Sequence, residues 1–287
     1  MSNNTIRIMI ISTIPDMIAE HYYFIKHVFP DLKEICKDYD VNLEYVDLVF
    51  SMSKVELSQC RSIRKYFESI DMNRTFFFCF RGQKLGCAPT YQDIDKLTLD
   101  KYPELVDYIG DISFTELMVM HALNPFEKHG ECGYEFLPPV KHSMFYFRDE
   151  KYLDNLNDSQ KELYISNGDD EEDVFVRDLK LAMAKDFVFN NKLEFDQKED
   201  NFNINIRKYE GIWDESLNLK DLLCQYTREY SELNNVSYDD LMDLLSELNL
   251  YDPQGSFADF KCEDNDLKDI IIEDFLNELK LELSDSE

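Results

Sequence analysis

The sequence predicts an α/β fold built on a mostly parallel sheet flanked by helices, and three observations predict it. Short β-branched or aromatic runs alternate with helical periodicity through the first 150 residues, one of these runs, Thr75 to Phe80, is apolar throughout, and loop signals separate them. A run covered on both faces reads as continuously apolar, and a parallel strand needs a crossover helix before the next one. The last fifth of the chain adds an acidic helical appendage.

Ile6 to Ser12 is the first strand, and it stops at Thr13-Ile14-Pro15-Asp16, where Pro15 can open a helix. From Met17 to Tyr39 apolar residues recur at Ile18, Tyr22, Ile25, Val28, Leu32 and Ile35, which predicts one amphipathic helix. Val41 to Phe50 alternates and then turns apolar, as a second strand; Lys54 to Met72 returns to helical spacing. Thr75 to Phe80 is an apolar strand, Ser113 to Leu123 a short helix with Ser113 as cap, and His142 to Phe147 a fourth strand. Residues 151–172 read as a polar exposed loop, Val174 to Ala184 as a helix, Asn203 to Tyr209 as an edge strand and Leu217 to Leu233 as a closing helix. The expected organisation is one α/β domain over residues 1–230, with its core at 5–150 and an extension at 151–230, followed by an acidic helical tail at 231–287.

The chain of 287 residues has a formal charge of −29, which disfavours nucleic acid and anionic membranes, because both require clustered cations. Ile8 to Ile11 is too short for a signal or spanning segment, so a cytoplasmic location is expected. Seven cysteines without a C-x-x-C pair read as buried apolar side chains rather than disulfides. Ser231 to Glu287 holds 17 acidic residues against three basic ones, yet Tyr238 to Leu250 and Leu267 to Leu283 are amphipathic. Those apolar faces need either the main domain or another chain.

Several segments together resemble one family. They are Arg7-Ile8-Met9-Ile10-Ile11-Ser12-Thr13-Ile14-Pro15-Asp16-Met17 with Glu20 and Phe29-Pro30-Asp31-Leu32, then Val46-Asp47-Leu48, Glu68-Ser69-Ile70-Asp71 to Arg74, Gly82 and Gly86, Ser113-Phe114-Thr115-Glu116-Leu117, and Phe145-Tyr146-Phe147-Arg148-Asp149. The chain resembles the domain of unknown function 4062 family, a TIR-like module at the front of NACHT- or repeat-containing proteins such as nephrocystin and telomerase-associated protein. The resemblance implies a flavodoxin-like, TIR-like sheet. It also implies a signalling or assembly role through a protein partner or self-association, with the acidic C-terminal helices as a docking element. No Walker A pattern accompanies it, and Val49-Phe50-Ser51 and Lys84-Leu85-Gly86-Cys87 depart from the family pattern just beyond strand ends. A degenerate, non-catalytic module is therefore the first expectation.

TIR-like enzymes use one glutamate to stabilise the charge that develops as the nicotinamide–ribose bond breaks, and the resemblance places Glu116 in that role, with NAD as substrate. The residues themselves allow a second reading, in which Glu116 completes a capping box with Ser113. Ser12, Thr13, Asp16, Asp47, Arg81 and Gly82 fall near the carboxyl ends of the expected strands, where open α/β sheets bind ligands. Ser12, Thr13 and Gly82 either contact ribose or phosphate or only turn the chain; Asp47 is either a crevice carboxylate or a buried acid paired with an arginine such as Arg81. His129-x-x-Cys132, even with His121 and His142, lacks the second ligand pair of a zinc site, so no metal is expected. Cys60 has no nucleophile motif around it, and Trp213 reads as core or partner-facing.

Overall fold

The computed structural model describes residues 4–14, 16–51, 61–72, 74–130, 133–135, 138–165, 180, 182–192, 203–246 and 252–284. Seven strands form one sheet in the order β2-β1-β3-β6-β7-β8-β9. The strands are β1 (Thr5–Ile11), β2 (Asn42–Asp47), β3 (Thr75–Arg81), β6 (His142–Arg148), β7 (Asn203–Asn218), β8 (Gln254–Cys262) and β9 (Asn265–Asp266). The first five are parallel, in the order of a flavodoxin-like doubly wound sheet, and β8 and β9 extend it antiparallel. A small hairpin, β4 (Lys128–Gly130) with β5 (Gly133–Glu135), lies apart.

Period-two alternation explains the apolar runs. Ile8, Ile10, Phe76, Phe78, Met144 and Tyr146 face one core, and Met9, Ile11, Phe77, Cys79, Phe145 and Phe147 face the other. The first core is covered by α1 (Ile18–Tyr23) and α2 (Phe29–Asp38), and the second by α3 (Ser62–Ile70) and α5 (Phe114–Leu123), which follows the short α4 (Lys96–Lys101). The helix expected from Met17 to Tyr39 is interrupted by a π-helical turn at Phe24–Val28. Pro30 sits just past that turn; it has no N–H for Lys26 and its ring would crowd that carbonyl, and a wider turn absorbs both.

Other expectations shift. The second strand ends at Asp47, because its carboxylate accepts from Val49 N at 2.8 Å and its carbonyl from Ser51 N at 2.9 Å, so Leu48 and Phe50 are buried from a turn. The helix expected from Lys54 begins at Ser62 among the described residues. Residues 151–165 are no open loop: a 3-10 turn (Glu150–Asn155) and α6 (Asp158–Tyr164) bury Tyr152, Leu156, Leu163 and Tyr164. The helix expected at 174–184 lies partly outside the described residues; α7 is helical at 182–192. Strand β7 is not an edge, since β6 pairs along its first half and β8 along its second.

The C-terminal segment, expected as an appendage, does carry helices, but it also completes the sheet. After α8 (Leu219–Asn234) and α9 (Tyr238–Ser246), β8 pairs with β7, and α10 (Leu267–Ser284) buries Ile271, Phe275 and Leu279 in the same core as Ile8 and Phe76. Its apolar face is covered by the chain's own sheet. Trp213 stacks edge-on to Tyr164 and Phe257, and Gly255 (φ +90°) lies so close that a Cβ would meet the indole at 2.4 Å. Among the cysteines, Cys36, Cys79 and Cys262 are buried as expected, whereas Cys87 is exposed and Cys224 half-buried; Cys60 and Cys132 lie outside the described residues.

Candidate functional site

Strands β3 and β6 both end in Phe-Arg, and their register sets Arg81 opposite Phe147, one residue short of Arg148. The two guanidinium groups therefore project from opposite faces of the sheet at its carboxyl edge. Each meets a carboxylate from a helix on its own face.

On the α5 face, Ser113 caps the helix and its Oγ accepts from Glu116 N at 3.2 Å. The reciprocal half of the expected capping box is absent. Glu116 turns its side chain to Arg81, and Arg81 Nη2 donates to Glu116 Oε1. The pair is nearly dry, with side chains 7% and 12% exposed, and Arg81 Nη1 and Glu116 Oε2 have no further hydrogen-bond partner. Burial works against the Arg81 charge, and the Glu116 carboxylate more than offsets it, so its pKa rises. Both residues line a cavity of about 480 Å³ between the sheet, α5 and α7. Cys79 also lines it, but burial pushes its thiol up to about 12, which removes a thiolate nucleophile.

On the α1 face, Arg148 is fully buried. It donates to Glu20 Oε1 at 2.5 Å, to the Asp16 carbonyl at 3.2 Å and to Tyr152 Oη at 3.3 Å. The rings of Phe257, Tyr152 and Tyr164 lie 4.3, 4.6 and 5.3 Å from its guanidinium carbon. The Asp16 carboxylate approaches only to 3.9 Å, and burial, partly opposed by Arg148, raises its pKa to about 7. Gly82 lies between these groups: a Cβ there would meet Met17 Cε at 2.5 Å and Arg148 Nη2 at 3.0 Å. A side chain there would have to push aside the ends of the Met17 and Arg148 side chains.

Farther along the same edge, Ser12 Oγ lies 2.5 Å from His21 Nε2, and His21 Nδ1 lies 2.7 Å from Asp47 Oδ2. That is the connectivity of a serine with a base and an orienting acid. Tyr226 of α8 donates to the same Asp47 oxygen, Ser12 is only 7% exposed, and the residues lining the cavity are others. The relay thus joins β1, α1, β2 and α8 across the core. Asp47 pairs with His21 and not with Arg81, because Arg81 faces α5 while His21 descends from α1 on the other side. Thr13 turns its hydroxyl to the Lys84 carbonyl at 3.4 Å and packs under Gly86.

Of the residues expected at the site, Glu116, Arg81 and Gly82 line the cavity, Ser12 and Asp47 meet through His21, and Thr13 serves a loop. Asp16 falls in the expected strand-end crevice, whereas sequence reasoning missed Glu20, His21 and Arg148 as site members. The repeated Phe-Arg strand ending was the signal for Arg148; Glu20 and His21 lie in an amphipathic helix and carried none. His121 and His142 are engaged elsewhere, with Asp71 and with Glu278 and Glu282. Among the described residues no group of three or more His, Cys, Asp or Glu side chains could hold a metal, and no helix is long and apolar enough to cross a membrane.

No family model and no solved structure matches the chain. It is similar to a TPR repeat-containing protein of Dictyostelium discoideum, 25% identical over an alignment of 177 residues that covers 58% of this chain and 10% of that protein. It is also similar to telomerase protein component 1 of Mus musculus, 25% identical over 168 residues, and of Rattus norvegicus, 24% identical over 165 residues; each match covers 58% of this chain and 6% of the relative. The chain thus spans a tenth or less of the length of these curated relatives.

Proposed function

We propose that the chain is a TIR-like signalling or assembly module of the cytoplasm that works through a protein partner or self-association, and whose carboxyl-edge cavity binds without turning over. The observation that carries this reading is the Arg81–Glu116 pair. A glutamate that stabilises developing positive charge must present an uncompensated carboxylate to it. Here a buried guanidinium already holds that charge at contact distance, and separating the two would leave both charges dry and unpaired. Similarity to a tenth or less of a TPR repeat-containing protein and of a telomerase protein component supports a module of larger assemblies.

A second reading, an NAD nucleosidase acting through Glu116, is favoured by one observation: Glu116 lines a cavity at the carboxyl ends of parallel strands. Incubation of the protein with NAD separates the two. The expected result is no nicotinamide release above a protein-free blank. Release by the wild type that vanishes in Glu116→Ala and survives in Glu104→Ala would establish the nucleosidase instead. Light scattering and pull-down on the intact chain read the assembly half, which a strict 34.1 kDa monomer without any partner would contradict.

A further inference from the structure

The cavity on the α5 face has a dry interior and a basic mouth. Phe145 of β6, Val119 of α5 and Val188 of α7 line it and are buried, so most of its surface is apolar. Arg81 and Glu116 also line it, but their charges cancel, and their unpartnered atoms, Arg81 Nη1 and Glu116 Oε2, are closed off from it. Three charged lining residues remain: Lys180 and Lys185, in the α7 segment, and Asp111, on the loop before α5. Lys180 is exposed and spends one of its donors on the Asp111 carbonyl at 3.1 Å. Lys185 is half-buried and has neither a hydrogen bond nor an ion pair among the described residues. In a chain of net charge −29, two lysines against one aspartate make this mouth locally positive.

The walls describe the body that such a head would carry. Met183 lines the cavity yet is 61% exposed, so an occupant would cover an apolar side chain that now meets solvent. Leu85, Ile112 and Met120 continue the wall, and methionine in particular adapts to a flexible aliphatic chain. The volume, about 480 Å³, falls within the roughly 300–1,000 Å³ of small-molecule sites. It equals the liquid volume of roughly sixteen waters, and a methylene is close to that size, so a chain of about ten carbons fits with its head at the mouth. Resting on the reading of this cavity as a binding site, we infer that it takes a fatty acid, with the acyl chain along Val119, Phe145 and Val188 and the carboxylate at Lys185 and Lys180. The carboxylate stays in the partly solvated mouth, which avoids the cost of burying a charge, while the chain leaves water. Because both lysines and Val188 belong to the α7 segment, an occupant ties that segment to the sheet.

Calorimetric titration of the full chain with decanoate, decanol and butanoate tests the assignment. Decanoate is expected to bind one per chain, at least about fivefold tighter than decanol, through charge-assisted hydrogen bonds to the lysines. Butanoate is expected to bind at least about a hundredfold more weakly than decanoate, since each methylene withdrawn from water contributes several-fold. Lys185→Met removes a charge that has no partner within the fold, so the variant keeps the wild-type circular dichroism; it is expected to bring decanoate down to the affinity of decanol and to leave decanol unchanged. Ala184→Trp places a ring in the cavity and, where it keeps the wild-type circular dichroism, is expected to weaken decanoate and decanol alike by at least about tenfold. Four results would overturn the inference: no saturable decanoate binding, decanol binding as tight as decanoate, butanoate within about tenfold of decanoate, or a Lys185→Met variant that shifts both ligands equally or neither. Failure of decanoate with the NAD assay still silent removes the ligand class alone, whereas NAD turnover removes the reading beneath it.

Discussion

At Asp16 burial and charge are not reconciled. Both its carboxylate oxygens lack hydrogen-bond partners, Arg148 is committed to Glu20, and the carboxyl therefore titrates at about 7 in place of 3.8. Between those two values the native state binds more protons than the unfolded chain, so this residue makes stability fall as pH rises, with the full penalty present above about pH 7. Asp16→Asn removes the titration while keeping the shape. The variant is expected to be more stable than the wild type, with a gain that grows from about pH 5 to about pH 8.5, where it reaches on the order of 2–4 kcal/mol. Denaturant unfolding at the two pH values checks it; a loss of stability, or a gain independent of pH, would mean that the carboxylate is ionised and supported. None of this was legible in Thr13-Ile14-Pro15-Asp16, which reads as an ordinary strand-to-helix turn, because the burial of Asp16 depends on Arg148, more than a hundred residues away.

At the scale of elements, α10 shows why an acidic segment need not be a solvated one. Asp274, Glu278 and Glu282 are spaced four apart, so they form one stripe on the helix, and the stripe faces the sheet. Asp274 accepts a forked pair of hydrogen bonds from Arg207 at 2.6 and 3.2 Å; Glu278 and Glu282 close on His142 at 2.7 and 3.2 Å, and Lys141 and Arg74 each reach Glu282 at 3.0 Å. Burial lowers the His142 pKa, but the hydrogen bonds it donates to both glutamates outweigh it and raise the value above 6.5; Glu282, bonded to His142, falls from 4.5 to about 2. The raised imidazole stabilises the fold fully below its ordinary value and loses that contribution as pH rises through the folded one. The depressed carboxyl contributes above 4.5 and loses it as pH falls toward 2. The clasp is therefore strongest between about 4.5 and 6.5. His142→Gln is expected to lose about 1–3 kcal/mol at about pH 5.5 and distinctly less at about pH 9, measured by denaturant unfolding against the wild type; an equal loss at both would refute the charged clasp.

For the molecule as a whole, the parallel core was legible because its signal is local: Ile6 to Ile11, Thr75 to Phe80 and His142 to Phe147 are apolar on both faces, and the intervening periodicity is helical. The fate of the last fifty residues was not, since Phe257 and Phe260 of β8 and Phe275 of α10 find partners on β7, β3 and around Arg148 that no local pattern announces. The site was half legible. Its position at the strand ends and the identity of Glu116 and Arg81 followed from the sequence, but their pairing depended on which face each strand end presents, a matter of register. That pairing underlies the whole functional account, and a double-mutant cycle of Arg81→Met and Glu116→Leu measures it most directly. Each single variant is expected to lose about 3–5 kcal/mol of stability, and the double variant to recover enough for a coupling of about 2 kcal/mol or more. Additive losses, with a coupling below about 0.5 kcal/mol, would show that the Glu116 carboxylate stands free of Arg81 and would contradict a cavity that binds without turnover.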